Sequence, residues 1–478
     1  MLFNSYEFIF IFLPLSFFVY FYLNYKNFTN ISKVFLVFSS LFFYSWWNIT
    51  YLPIILSSMV FNYILGNSLD RDKRSLLIFG IIVNLLLLGY FKYSDFLIEN
   101  INYISNNNFD ILDLALPLAI SFFTFQQISY LIDSYRGETR EYNFLNYALF
   151  VTFFPQLIAG PIVHHKEMMP QFDKISNRLR NYKNISMGII IFSIGLFKKI
   201  IIADTFSIWA NNGFDSATTL TLVEAWGTSI SYTFELYFDF SGYSDMAIGI
   251  ALLFNIKLPI NFNSPYKSTS IQEFWRRWHI TLSRFLKDYI YIPLGGNRFG
   301  EFNTYINLMA TFILAGIWHG AGWTFIFWGF IHGLALVIHR AWSRFGFRLW
   351  RWLAWFITFN FINIAWVFFR AKEWEDALMV LSGMFGFSGI KIHSILKSKL
   401  VFLENYGIEF GTYTTIGLSA LDMLWFIFGF IIILVFRNSN EYIDKYVFTY
   451  KNAFIYSLMF FVSILSLNKV SEFLYFNF

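Results

Sequence analysis

Apolar stretches recur along this chain from Phe8 to Leu467, and no long polar stretch separates them. A chain of this pattern cannot bury its apolar surface in one core beneath a polar shell, so lipid must serve as part of its solvent. Composition bears this out where it matters. Charged residues make up 14% of the chain, against about 25% in an ordinary globular domain. Aromatic residues reach 23%, which suits a lipid-facing surface with belts at both interfaces. The expected fold is an all-α polytopic membrane protein, one integral domain over 1–478.

Candidate spans lie at Phe8–Leu23, Ile31–Trp46, Leu52–Leu65, Leu76–Phe91, Ile111–Ile132, Phe144–Ile162 and Ile185–Ala203. Later ones lie at Val223–Tyr237, Tyr305–Ile317, Thr324–Ile338, Leu353–Phe369, Leu418–Val435 and Ala453–Leu467. At about 20 residues per span, roughly ten to thirteen helices fit, some of them partial. No internal repeat is evident. The first run has no basic residue before it and no small-residue cleavage site, so it reads as a retained helix rather than a signal peptide.

The net charge of +5 does not point to nucleic acid, because Lys and Arg collect in the connections, as the positive-inside rule expects. Lys26 and Lys33 follow the first span; Arg71, Lys73 and Arg74 follow the third. Both connections therefore read as cytoplasmic and the N-terminus as outside. The basic loop 164–184 fits this orientation only if Phe144–Ile162 enters the membrane and returns without crossing. Its "FFPQLIAGP" core supplies the breakers, Pro155, Gly160 and Pro161. Irregular backbone at membrane depth is tolerated only inside protein or along a cavity, so an internal chamber is expected.

The stretch from Ile271 to Tyr291 sets Phe274, Trp275, Trp278, Leu282, Phe285, Leu286 and Tyr289 at three- and four-residue steps. The spacing predicts one amphipathic helix at the interface, with Arg277, Arg284 and Lys287 on its polar face. Ser270 is its expected cap and Glu273 the partner three residues on.

Ionisable groups at membrane depth are costly and mark candidate sites. His319 stands in "AGIWHGAGWTF", where Gly316, Gly320 and Gly322 are expected to let backbone or ligand approach and to leave room around the ring. An imidazole can take and return a proton near neutral pH; the competing reading is a packed histidine bonded to a carbonyl. His279, in "RRWHITLS", is a second candidate, while His332 reads as a helix-packing residue and His339 as solvated. Glu235 and Asp239 are four apart and share a helical face; with Asp245 they form a carboxylate set from which one partner for a guanidinium of 271–291 is expected. Gln126 and Gln127 are expected to join helices by hydrogen bonds. The absence of cysteine excludes an acyl-cysteine intermediate and thiolate metal sites. No phosphate-binding glycine loop and no His-x-x-x-His pair occurs, so no metal is expected.

Five segments in order, "FFTFQQISYLIDSYRG", "FFPQLIAGPI", "LYFDFSGYSDMAIG", "SIQEFWRRWHITLSRFLKDYIYIPLGGNR" and "LAGIWHGAGWTFIFWGFIHG", resemble the bacterial branch of the membrane-bound O-acyltransferase (MBOAT) family. That branch O-acetylates alginate and peptidoglycan. The likeness runs from about Met1 to Arg340 and leaves the region after Arg370 matched only in hydrophobicity. It implies a ring of helices around a central funnel or tunnel, with N-terminal helices over 1–143, a catalytic core over 144–340 and C-terminal helices over 341–478. It implies a catalytic histidine at His319 and a second polar site at His279. Trp318, Gly320 and Trp323 beside the first, Arg276, Arg277 and Trp278 beside the second, and Gln126 and Asp239 are candidates for binding donor or acceptor. The implied reaction takes acetyl from acetyl-CoA or a related thioester, with no tightly bound cofactor. A separate periplasmic transferase would carry the group onward to the cell wall or an exported polysaccharide. The Phe/Ile/Asn/Lys bias favours peptidoglycan as the polymer. Competing functions are D-alanyl export for teichoic acid, a transporter or channel, and a non-catalytic scaffold.

Overall fold

The computed structural model describes residues 1–139, 143–442, 449–467 and 473–474, and the chain divides into two units. Among the described residues nearly all regular structure is helical, with one two-stranded parallel sheet pairing β1 (Ile390–His393) and β2 (Ile408–Gly411). Among the described residues six helices are long and apolar enough to cross a membrane: Glu7–Tyr25, Ile49–Ser68, Arg74–Ser105, Tyr182–Ser216, Trp323–Arg344 and Arg351–Arg370. Met423–Leu434 and Tyr450–Leu465 are shorter apolar helices. The expected all-α membrane architecture is the one observed.

The first unit comprises Met1–Leu196, Tyr243–Asn261 and Ile443–Phe478. Its helices are joined by polar groups that would be costly in lipid alone. Asn62 and Asn84 exchange side-chain hydrogen bonds at 3.0 and 2.7 Å. Lys33 donates to Asn146 at 2.8 Å and pairs with Asp173 at 2.9 Å. Gln126 donates to the Phe150 carbonyl at 2.9 Å, and Tyr147 donates to Gln127. Both glutamines therefore do the helix-joining expected of them.

Two expected spans change here. Ile111–Ile132 is not one helix: the chain is irregular up to Leu118, Ala119 takes a left-handed turn (φ 61°), and the helix is Ile120–Arg136. Pro117, which disfavours helical backbone at the residue before it, accounts for the late start. Phe144–Ile162 breaks as expected, into Phe144–Thr152 and Phe154–Leu157. Nine residues rise only about 13 Å, well short of a ~30 Å hydrocarbon core.

The second unit comprises Phe197–Gly242 and Phe262–Tyr442. A helix expected at Val223–Tyr237 runs instead over Leu222–Leu253, 32 residues, and passes from this unit into the first. Its polar residues lowered the apparent hydrophobicity without stopping the helix. Within the second unit it is tied to the Arg351–Arg370 helix by Thr233, which donates to Asn363 Oδ1 at 2.6 Å. Tyr266 links both, donating to the Thr233 carbonyl at 3.0 Å and accepting from Trp366 Nε1 at 3.2 Å.

The expected continuous helix over Ile271–Tyr291 is broken. Ile271–Trp275 and Ile280–Leu286 are separate helices, followed by a π-helical turn over Lys287–Tyr291. Ser270 caps the first as expected, accepting from the Glu273 N–H at 3.1 Å. The Glu273 carboxylate reaches back one residue further than a capping box requires, to the N–H of Thr269 at 2.9 Å. The break falls at His279, whose backbone is left-handed (φ 43°, ψ 54°). For an L-residue that conformation costs about 1–2 kcal/mol.

Candidate active site

His319 is the last residue of the Gly300–His319 helix, and after a three-residue link Trp323–Arg344 returns antiparallel to it. The glycines make this hairpin tight. A Cβ on Gly316 would lie 2.3 Å from the Phe325 carbonyl oxygen, and one on Gly329 would lie 2.3 Å from the Phe312 carbonyl oxygen. Backbone meets backbone at both points, as in small-residue helix contacts. A Cβ on Gly320 would strike the Phe325 ring at 2.2 Å. Gly316 and Gly320 are thus consumed by packing and do not leave the room around the imidazole that their positions in the sequence suggest.

The His319 ring is 4% exposed. It meets the rings of Trp318 at 4.8 Å, Trp328 at 5.1 Å and Phe369 at 5.1 Å, all close to edge-on. Trp318 and Gly320 therefore belong to its surroundings. Trp323, the third neighbour singled out from sequence, is 61% exposed at the start of the returning helix.

His279 is fully buried and sits edge-on to Phe240, 4.7 Å between centroids. Its carbonyl accepts from the Ser283 N–H at 3.0 Å, which starts the Ile280–Leu286 helix. Trp278 is buried beside it, stacked on Phe274 at 5.5 Å and against Trp366 at 5.0 Å. Arg276 and Arg277 part from the histidine. Arg276 is exposed, and Arg277 pairs with Glu273 at 2.8 Å while donating to the Asn263 carbonyl at 3.2 Å. A four-residue turn cannot aim all four side chains one way, and here the rings turn inward.

One aromatic network joins the two histidines. From His319 it passes to Trp328, to Trp366 at 5.8 Å and on to Trp278; from His279 it passes through Phe240 and Phe262 to Trp278, at 4.9 and 5.0 Å. His332, read from sequence as a packing residue, proves to belong to it. Its ring lies 4.7 Å from Trp328 on a path that continues to His319, and its Nδ1 accepts from Trp275 Nε1 at 3.3 Å. That bond fixes the neutral tautomer with its proton on Nε2.

Asp239 finds its cation in a residue that the sequence does not single out. Lys199 lies 2.6 Å from Asp239 and 3.0 Å from Asp204, and is itself 3% exposed. Lys199 and Asp204 are five apart, which an α-helix would not align; the π-helical turn Lys198–Ala203 brings them to one face. Glu235, one turn before Asp239, is 4% exposed, and its Oε2 has no hydrogen-bond partner among the described residues. Arg370, next to the Phe369 that touches His319, pairs with Asp215 at 2.5 Å and lies over the Tyr232 ring at 6.0 Å. Gln126 belongs to the other unit, engaged with Phe150.

Residues 132–372 match the family described as "MBOAT, membrane-bound O-acyltransferase family". The chain is 55% identical to a peptidoglycan O-acetyltransferase of Helicobacter pylori, over 84% of this chain and 83% of that protein. It is 41% identical to a probable alginate O-acetylase, AlgI, of Pseudomonas aeruginosa, over 86% of this chain and 79% of that protein. A teichoic acid D-alanyltransferase of Streptococcus thermophilus is 31% identical over 48% of this chain and 57% of its own length. The matched family region contains both histidines, Lys199, Asp239 and Arg370, and ends before the small sheet.

Proposed function

Because this chain belongs to the membrane-bound O-acyltransferase family, we propose that it moves acetyl groups from a cytoplasmic thioester to a polysaccharide outside the bacterial inner membrane. It is a multi-pass membrane acyltransferase. The donor is acetyl-CoA or a related acetyl thioester, the polymer is peptidoglycan, and a periplasmic transferase completes the delivery. The N-terminus faces outward. Peptidoglycan takes precedence over alginate because identity to the Helicobacter relative is the higher, 55% against 41%. The D-alanyl reading ranks lower because that likeness covers 48% of the chain.

The single observation that carries the mechanism is the buried imidazole at the tip of a glycine-tight hairpin, walled by Trp318, Trp328 and Phe369. In the proposed reaction His319 accepts the proton of the attacking hydroxyl as its oxygen bonds to the acyl carbon. The carbon–sulfur bond then breaks, and the imidazolium returns its proton to the departing thiolate. General-base help of this kind is worth about 10²–10⁴-fold, and alignment of the two reactants supplies further acceleration. With no cysteine in the chain, an acyl-cysteine intermediate plays no role. His279 acts as the second polar group at the acyl carbonyl.

The substrate assignment is tested by removing the gene and analysing the envelope. Loss of ester-linked acetate from purified peptidoglycan supports it. Unchanged peptidoglycan with loss of acetate from an exported polysaccharide, or of ester-linked D-alanine from teichoic acid, overturns it.

A further inference from the structure

A cavity of about 460 Å³ opens at the far end of the same hairpin from His319, between Gln272 and the last turns of Trp323–Arg344. It falls within the ~300–1,000 Å³ range of small-molecule sites. Leu308 and Leu336 supply its apolar lining, and Gln272, Tyr291 and His339 border it. Further along the helix, by one to two turns, Arg340, Ser343 and Arg344 form a cationic, hydrogen-bonding region.

Charge bookkeeping narrows the ligand. Glu301 accepts from Arg340 Nε and Nη2 at 2.8 and 2.9 Å and pairs with Arg344 at 2.5 Å. Two guanidiniums share one carboxylate, so the pair keeps one net positive charge. That matches a monoanionic phosphodiester better than a polyphosphate.

The segment that leaves the cavity has a matching character. After Arg344 come Arg348 and Arg351, both exposed, interleaved with Phe345 (74% exposed), Phe347, Trp350 (73%) and Trp352. Only a short connection separates the spans Trp323–Arg344 and Arg351–Arg370, so this basic, aromatic stretch lies at a membrane–water boundary. Exposed Trp at such a boundary sits at headgroup level, and clustered Arg beside a span attracts anionic lipid.

We propose that this cavity binds one anionic phospholipid, its phosphate against Arg340, Ser343 and Arg344 and an acyl chain along Leu308 and Leu336. Glu301 competes with the phosphate for both guanidiniums and so weakens the binding that it organises. The site concerns the lipid environment of the chain and does not depend on the identity of the acyl acceptor.

The test uses the purified full-length chain in nanodiscs of phosphatidylcholine with or without phosphatidylglycerol, reading lipid retained per chain after extraction into detergent. The wild type should keep about one phosphatidylglycerol and prefer it over phosphatidylcholine about tenfold. Arg344→Gln, at an exposed position, should reduce that preference severalfold, and Arg340→Gln with Arg344→Gln should abolish it. Glu301→Gln should raise it. The opposite signs separate the proposal from general damage to the fold. Equal retention of the two lipids, a double variant that retains lipid as the wild type does, or a Glu301→Gln variant that retains less would overturn it. Displacement of the bound phosphatidylglycerol by coenzyme A, or by inorganic phosphate, would also overturn it by identifying a water-soluble ligand.

Discussion

The hairpin that carries His319 and the stretch that carries His279 each bury an imidazole in aromatic surroundings, by opposite means. The hairpin uses regular helices brought to backbone contact at Gly316 and Gly329, with the histidine at the point where the first helix ends. The Ile271–Tyr291 stretch interrupts its helix, and the histidine itself takes the left-handed turn that a glycine would take without cost. In the first region close packing is given to glycines and the proposed chemistry to the histidine. In the second, one residue makes the turn and also carries the proposed polar role. Ala119 takes the same conformation at the start of a helix, so the left-handed turn alone does not assign His279 a chemical role; a variant that keeps the turn and removes the ring does.

The largest effect expected from this contrast lies in the hairpin. Gly329→Val would drive a Cβ into the Phe312 carbonyl, 2.3 Å away, and neither backbone can yield without separating the helices. Overpacking of this kind costs about 1–3 kcal/mol or more. Folded protein in the membrane should fall sharply by fluorescence-detected size exclusion, and activity with it. Gly322→Ala, whose nearest neighbour is 3.6 Å away, should be tolerated.

The second test separates the two tasks of His279. His279→Gly and His279→Ala both remove the imidazole, but only glycine relieves the left-handed backbone. The glycine variant should melt higher than the alanine variant, by a difference of about 1 kcal/mol, while both lose acyl transfer. Full activity in the glycine variant would reduce His279 to a turn residue.

A smaller effect is expected at Trp275, where Trp275→Phe keeps a ring and removes the bond to His332 Nδ1. The loss should be about 1 kcal/mol of stability, read as a lower melting temperature, with transfer falling less than tenfold. A larger fall in kcat at unchanged KM would move His332 from the wall of the network to its working centre.

The smallest effect concerns Glu273. Burial pushes its carboxyl up, but the Thr269 N–H and hydroxyl and the Arg277 guanidinium outweigh this and hold it below the usual carboxylate range. A lowered folded value means that the stabilisation is full above the unfolded value, about 4.3, and is lost as pH falls through the folded one. Glu273→Gln should therefore cost at most about 1 kcal/mol at neutral pH, since the pair is partly solvated. The difference from wild type should shrink in melts below about pH 4.

Sequence legibility followed the same division. Long apolar runs revealed the membrane class, and Pro155 with Gly160 revealed the break after Thr152, because both signals are local. The break at His279 was hidden because Phe274, Trp275, Trp278, Leu282 and Phe285 keep helical steps across it; a left-handed residue resets the direction of the chain without disturbing the spacing of its apolar residues. Lys199 was hidden for a different reason. Its partner Asp204 is aligned only by a π-helical turn, and Asp239 lies forty residues away on another helix. The glycines around His319 read in the sequence as room for a ligand, and the structure fills that room with backbone and the Phe325 ring, since sequence alone does not tell which surface a missing Cβ admits.

The central claim is that His319 takes the proton of the acyl acceptor. It is tested most directly by ester-linked acetate on purified peptidoglycan from cells carrying wild type or His319→Ala at equal membrane abundance. The account predicts acetate near the level of the gene deletion in the variant; acetate at the wild-type level would contradict it.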